Sequence, residues 1–66
     1  MNAKEEISMF LKDNIEYAYT AKEIKNATGY SMSTVITTIR ELEKENKIVR
    51  RKLKKNGKTL TYNGWK

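Results

Sequence analysis

Residues 20–35 decide the fold: Thr20-Ala21-Lys22-Glu23-Ile24-Lys25-Asn26-Ala27-Thr28-Gly29-Tyr30-Ser31-Met32-Ser33-Thr34-Val35. Thr20 is a helix N-cap, and Glu23 stands three residues on, where a capping-box partner belongs. Gly29 ends that helix at a position suited to left-handed backbone. The reading is a two-turn helix over Ala21–Thr28, with Ile24 and Ala27 or Thr28 inward. Ser31 then caps a second helix after a tight turn. That helix runs over about Met32–Glu45, with Met32, Val35, Ile39 and Leu42 as its buried stripe and Ile36 at the edge. The β-branched run Thr34–Ile39 lowers its propensity, so the stripe and the caps carry the assignment. Ser33, Thr34, Thr37, Arg40, Glu41 and Lys44 project to the opposite side.

Beyond this pair the period changes from helical to alternating. Asn46 is a left-handed C-cap. Ile48–Lys54 and Lys58–Asn63 read as strands, joined by Asn56-Gly57, a strong hairpin signal. A two-residue turn there opposes Lys55 to Lys58, Leu53 to Leu60 and Arg51 to Tyr62. This register gathers Val49, Leu53, Leu60 and Tyr62 on one face, expected to close on the helices. Arg50, Lys52, Lys54, Thr59 and Thr61 share the other. The like charges at the tip are unfavourable unless a polyanion sits there.

Upstream, Asn2 caps a first helix over Ala3–Asp13, with Ala3, Ile7, Phe10 and Leu11 on one side. Ile15, Tyr17 and Tyr19 then alternate. This fits a turn and a short extended segment, which allows a short third strand between helices one and two. The whole is one α+β domain of 66 residues, near the lower size limit for a self-supporting core. It has no Cys and no His, so disulfides and a Cys/His zinc site are excluded. No apolar run is long enough to span a bilayer, no signal peptide is visible, and a cytoplasmic location is expected. Catalysis has no support, because no nucleophile–base pair or phosphate loop is present. The expectation is a non-enzyme without a cofactor or metal.

The net charge is +6, and it is unevenly placed. Residues 1–45 hold six basic and eight acidic side chains, a net −2, whereas residues 46–66 hold eight basic and none acidic, a net +8. A solvated basic tail is the bland alternative. It fits poorly with Ile48, Val49, Leu53, Leu60, Tyr62 and Trp65 in the same segment, which suit a folded ribbon. Such a charge asymmetry points to a polyanion.

Three stretches carry a family resemblance: Thr20–Ile24, Thr28–Val35 and Leu42–Arg51. In order and spacing the chain resembles winged helix-turn-helix domains, specifically the DNA-binding core of multiple-antibiotic-resistance-type regulators, over about residues 5–62. The resemblance implies three helices and a two-stranded β-hairpin wing, with the third helix in the major groove of double-stranded DNA. It implies a small, basic, sequence-specific transcription regulator. Larger members carry further helices for dimerisation and effector binding. No small-molecule effector is expected here, and a homodimer on DNA, through the first helix or the C-terminus, is left open.

On that footing Ser33, Thr34 and Thr37 are short hydroxyls that permit close approach. Arg40 offers a bidentate contact to guanine, and Lys44 reaches phosphate. Ser31 and the amides behind it suit a phosphate, and Tyr30 adds a hydroxyl. Ser31 is required as a cap in any case, Glu41 repels phosphate, and Arg40 could pair with Glu43 or Lys44 with Glu41. In the wing, Arg50, Arg51, Lys52, Lys54, Lys55 and Lys58 are candidates for the backbone or minor groove, with Arg51 alternatively stacking on Tyr62. Trp65 reads as a lid near Ile48. The competing reading is a winged-helix interaction module, for example a viral or mobile-element inhibitor or adaptor of a host nucleic-acid enzyme.

Overall fold

A computed structural model describes residues 2–66 of the chain. Three helices precede a two-stranded antiparallel hairpin: α1 (Ala3–Asp13), α2 (Ala21–Thr28), α3 (Met32–Lys44), β1 (Ile48–Lys55) and β2 (Lys58–Trp65). Each helix begins at its expected cap. Asn2 accepts from the Glu5 amide, Thr20 and Glu23 form a reciprocal capping box, and Ser31 accepts from the Thr34 amide.

The left-handed positions also fall as read. Gly29 has φ 83° and returns its N–H to the Lys25 carbonyl at 2.8 Å. Asn46 has φ 61°. Its N–H reaches the Glu43 carbonyl, and the Lys47 N–H reaches Leu42, each at 2.9 Å. These two bonds make a Schellman ending to α3, which turns the chain directly into β1. At the hairpin tip Asn56 and Gly57 have φ of 53° and 76°, the pair of positive values that a type I′ turn needs. Lys55 pairs with Lys58, Leu53 with Leu60 and Arg51 with Tyr62.

The core is aliphatic: Ile7, Leu11, Ile24, Val35, Ile39, Leu42 and Ile48 are buried. Phe10, Tyr19, Ala21, Tyr30 and Trp65 pack around it. Each buried branched aliphatic stabilises by about 1.5–3 kcal/mol relative to exposure, so a cluster of this size suffices for a marginal small domain. Thr28 rather than Ala27 faces inward from α2.

Three expectations are corrected. The hairpin closes on the helices with its other face. Val49 and Leu53 are 40% and 56% exposed, while Ile48 and Asn63 are buried. The strands pivot at their base, where Ile48 leaves the Schellman turn pointing into the core. Their distal halves extend past the helices, so neither face is covered there. The segment between α1 and α2 forms an isolated bridge, Tyr19 to Asn63, rather than a strand. Its amides exchange bonds of 2.8 and 2.7 Å with Asn63. Last, Thr38 takes the buried edge of α3, and Ile36 is 37% exposed. Trp65 does pair with Ile48 and pack on the core, with Lys12 Nζ 4.9 Å from its ring centroid.

Candidate nucleic-acid interface

The pleat of the hairpin divides its cations into two sets. Residues that alternate with buried Ile48 face the helices. They are Arg50, Lys52 and Lys54 on β1, with Thr59, Thr61 and Asn63 opposite them. Arg51, Lys55 and Lys58 stand on the outer side with Val49, Leu53, Leu60 and Tyr62. The six wing candidates are therefore not one surface.

The inner side of the wing and the exposed side of α3 form a shared groove. Ile36, Arg40, Arg50 and Thr61 line it, with Ala21 from the start of α2. Two of these were not singled out by sequence: Ile36, assigned to the core edge, and Thr61, read only as a polar position. Helical spacing could have found Ile36. It lies beside Arg40, one turn away, on the flank of α3 turned to the wing.

A chain of polar contacts fixes the groove. Arg50 Nε donates to Asn63 Oδ1 at 3.1 Å, and its Nη1 donates to Glu43 Oε1 at 3.2 Å. Asn63 Nδ2 donates in turn to the Tyr19 carbonyl at 3.0 Å. Asn63 is 1% exposed, so these partners satisfy a buried amide that would otherwise be costly. Arg50 thus props the wing against the last turn of α3 while lining the groove.

Glu43 and Glu41 are taken by cations other than those expected. Glu43 binds Arg50, and Glu41 lies 3.7 Å from Lys4. Among the described residues no acidic group lies within ion-pair distance of Arg40 or Lys44. With Thr37 and Glu41 they border a shallow depression on the exposed side of α3. Arg40 is the forked donor on this surface, and two charges on α3 are left for an anion. Lys52 and Lys54 are likewise exposed and without an acidic partner among the described residues.

At the start of α3 the hydroxyls bond to one another. Ser31 Oγ lies 3.0 Å from Thr34 Oγ1 and 3.3 Å from Ser33 Oγ, and accepts the Thr34 amide at 3.3 Å. The Tyr30 hydroxyl is turned away from this cluster and donates to the Glu6 carboxylate of α1. That hydrogen bond, with desolvation behind it, holds the Tyr30 pKa above its ordinary value. Tyr30 is half-buried against the core and fastens the turn to α1. Lys4, in the same first turn of α1 as Glu6, pairs with Glu45 and ties the start of α1 to the end of α3. Their hydrogen bond raises the Lys4 pKa and lowers that of Glu45.

Among the described residues no group of His, Cys, Asp and Glu is placed to hold a metal, and no helix is long and apolar enough to cross a membrane. A family model described as Firmicute plasmid replication protein (RepL) matches residues 1–61. No curated protein and no solved structure matches the chain.

Proposed function

Since the chain belongs to the RepL family of Firmicute plasmid replication proteins, we propose that it binds double-stranded DNA sequence-specifically in the replication of a plasmid. The observation that carries this reading is the groove between α3 and the wing, with Arg40 unpaired on one wall, Lys44 further along the exposed side of α3, and Lys52 and Lys54 on the side of the wing that faces the helices. In this reading α3 enters the major groove. Arg40 contacts a guanine edge, and Ile36 meets a thymine methyl, an apolar contact that major-groove readers use. Ser33, Thr34 and Thr37 allow the close approach, and Ser31 adds a phosphate contact. Lys44, Lys52 and Lys54 take phosphates, which fixes register and supplies affinity. Arg50 is a positioning residue that sets the angle of the wing.

The likeness to multiple-antibiotic-resistance-type regulators rests on the shared order of elements. The same duplex contacts would serve a transcription regulator, and the family description favours replication. The test is a titration of duplex DNA at several salt concentrations. Affinity should fall steeply as salt rises, with a log–log slope of about −0.9 per neutralised phosphate. A flat salt response, or no binding to any duplex, would refute the proposal.

A further inference from the structure

We infer that the free edge of β1 accepts an acidic strand of a partner protein, added antiparallel as a further strand of the wing. β1 is the edge of its sheet, and from Val49 to Lys55 every one of its residues is exposed. At the opposite edge, Asn63 turns its N–H and carbonyl outward to Tyr19. Hydrogen-bonded and non-hydrogen-bonded pairs alternate along an antiparallel ladder. Arg50, opposite Asn63, therefore turns its own N–H and carbonyl away from β2, and Lys52 and Lys54 do the same. Among the described residues no backbone group meets them across that edge. Such a row of outward donors and acceptors is a template for one more strand.

The side chains choose which strand. β1 carries five cations, Arg50, Arg51, Lys52, Lys54 and Lys55, and no acid. A second copy's β1 on this edge would set cation beside cation, which is destabilising. The cations thus close the edge to self-pairing and leave it open to an acidic strand. On the outer face the charges are Arg51, Lys55 and Lys58 against Glu16 at the base, and none of the four is in an ion pair among the described residues. The β1 row on that face reads Val49, Arg51, Leu53, Lys55, apolar and cationic in turn. Leu53 has Leu60 across the ladder, but Val49 has Gly64, which offers it no side chain, and Val49 is 40% exposed. The matching strand carries apolar and acidic residues alternating on one side. A phosphate backbone or an anionic lipid surface answers the charge but presents acceptors alone, whereas the outward carbonyls of β1 take donors. A peptide strand supplies both.

An added strand lies beside β1 and touches no part of α3, so the inference does not rest on the duplex-binding reading and is tested without DNA. The probe is a capped peptide matching β1 in length, with Val and Glu alternating on one side and Thr on the other. Titrated into the full chain, it should bind with a Kd below about 1 mM and slow hydrogen exchange at the Arg50, Lys52 and Lys54 amides, read by NMR. In the antiparallel pairing the Thr nitrogens of the peptide face β1. Methylating them should abolish binding, and methylating the Val and Glu nitrogens should weaken it far less. Arg51→Glu, at an exposed position, should weaken binding about tenfold while circular dichroism still reports a folded chain. No binding at about 1 mM, binding without protection of the three amides, or indifference to methylation of the Thr nitrogens would overturn the inference. So would equal binding of a peptide with Lys in place of Glu, or protection of these amides by a duplex or by anionic vesicles and not by the peptide.

Discussion

Arg50 and Asn63 stand opposite each other across the hairpin, joined by a hydrogen bond of 3.1 Å from the guanidinium Nε to the amide Oδ1. Through Glu43 on one side and the Tyr19 carbonyl on the other, this pair links α3, both strands and the segment between α1 and α2. A two-stranded hairpin is marginal by itself. Here a buried amide holds it at a set angle to the helix whose exposed side it flanks.

Removing that amide should therefore destabilise the domain and loosen the wing. Asn63→Ala leaves the Tyr19 carbonyl without its side-chain donor and Arg50 Nε without its acceptor, an expected cost of about 1–3 kcal/mol. Urea unfolding gives the size of the loss. Hydrogen exchange should show the amides of β1 and β2 losing protection before those of α3.

Asn46 holds a left-handed residue at the end of α3. Asn46→Ala should cost up to about 1–2 kcal/mol, because alanine keeps a Cβ at positive φ but lacks the short polar side chain that makes asparagine tolerant there. Asn46→Gly relieves that strain and should stay close to the parent chain, less whatever the Lys66 contact to Asn46 contributes. Thermal unfolding of the two variants separates backbone strain from loss of the side chain.

How much was legible follows from which forces are local. Caps, the Gly29 stop, the Asn46 turn and the Asn56-Gly57 hairpin depend on residues within five positions, and all were readable. The choice of wing face was not. Counting apolar residues favours Val49, Leu53, Leu60 and Tyr62 over Ile48 and Trp65, yet burial is decided by which side the α3 ending points into the core. The pairings of Arg50 with Glu43 and of Tyr30 with Glu6 lie 7 and 24 residues apart, without a periodic signal. Arg40 and Lys44 were readable as exposed from helical spacing, whereas their freedom from Glu43 and Glu41 depended on those distant partners.

The division of the wing cations predicts unequal losses. Lys52→Ala with Lys54→Ala should weaken all duplexes alike and reduce the salt slope by about 2. Lys55→Ala with Lys58→Ala should weaken duplex binding less, since these side chains stand on the outer face. Fluorescence anisotropy on one duplex at several salt concentrations makes the comparison.

On α3 the two groove residues should affect sequence preference. Arg40→Ala should cost about 1–3 kcal/mol at a single base pair and less on unrelated duplexes. Ile36→Ala should leave unfolding nearly unchanged, because Ile36 is already half-exposed, while relaxing a preference for thymine. A uniform loss on all duplexes would assign either residue to general affinity instead.

Stability should decline on both sides of a neutral plateau. Tyr30 and Lys4 have raised folded pKa values, so their contributions are complete below the unfolded values and are lost as pH rises through the folded ones. Glu45 has a lowered value, so its contribution is present above the unfolded carboxylate pKa and is lost as pH falls through the folded one. Tyr30→Phe should be slightly less stable at neutral pH and show a shallower alkaline decline. Melting temperature against pH for the two chains checks both statements.

The most direct test of the central claim is selection of bound duplexes from a random pool by the full chain. The groove between α3 and the wing predicts enrichment of a short shared site containing a guanine that Arg40→Ala ceases to select. A bound pool indistinguishable in sequence from the input would contradict it.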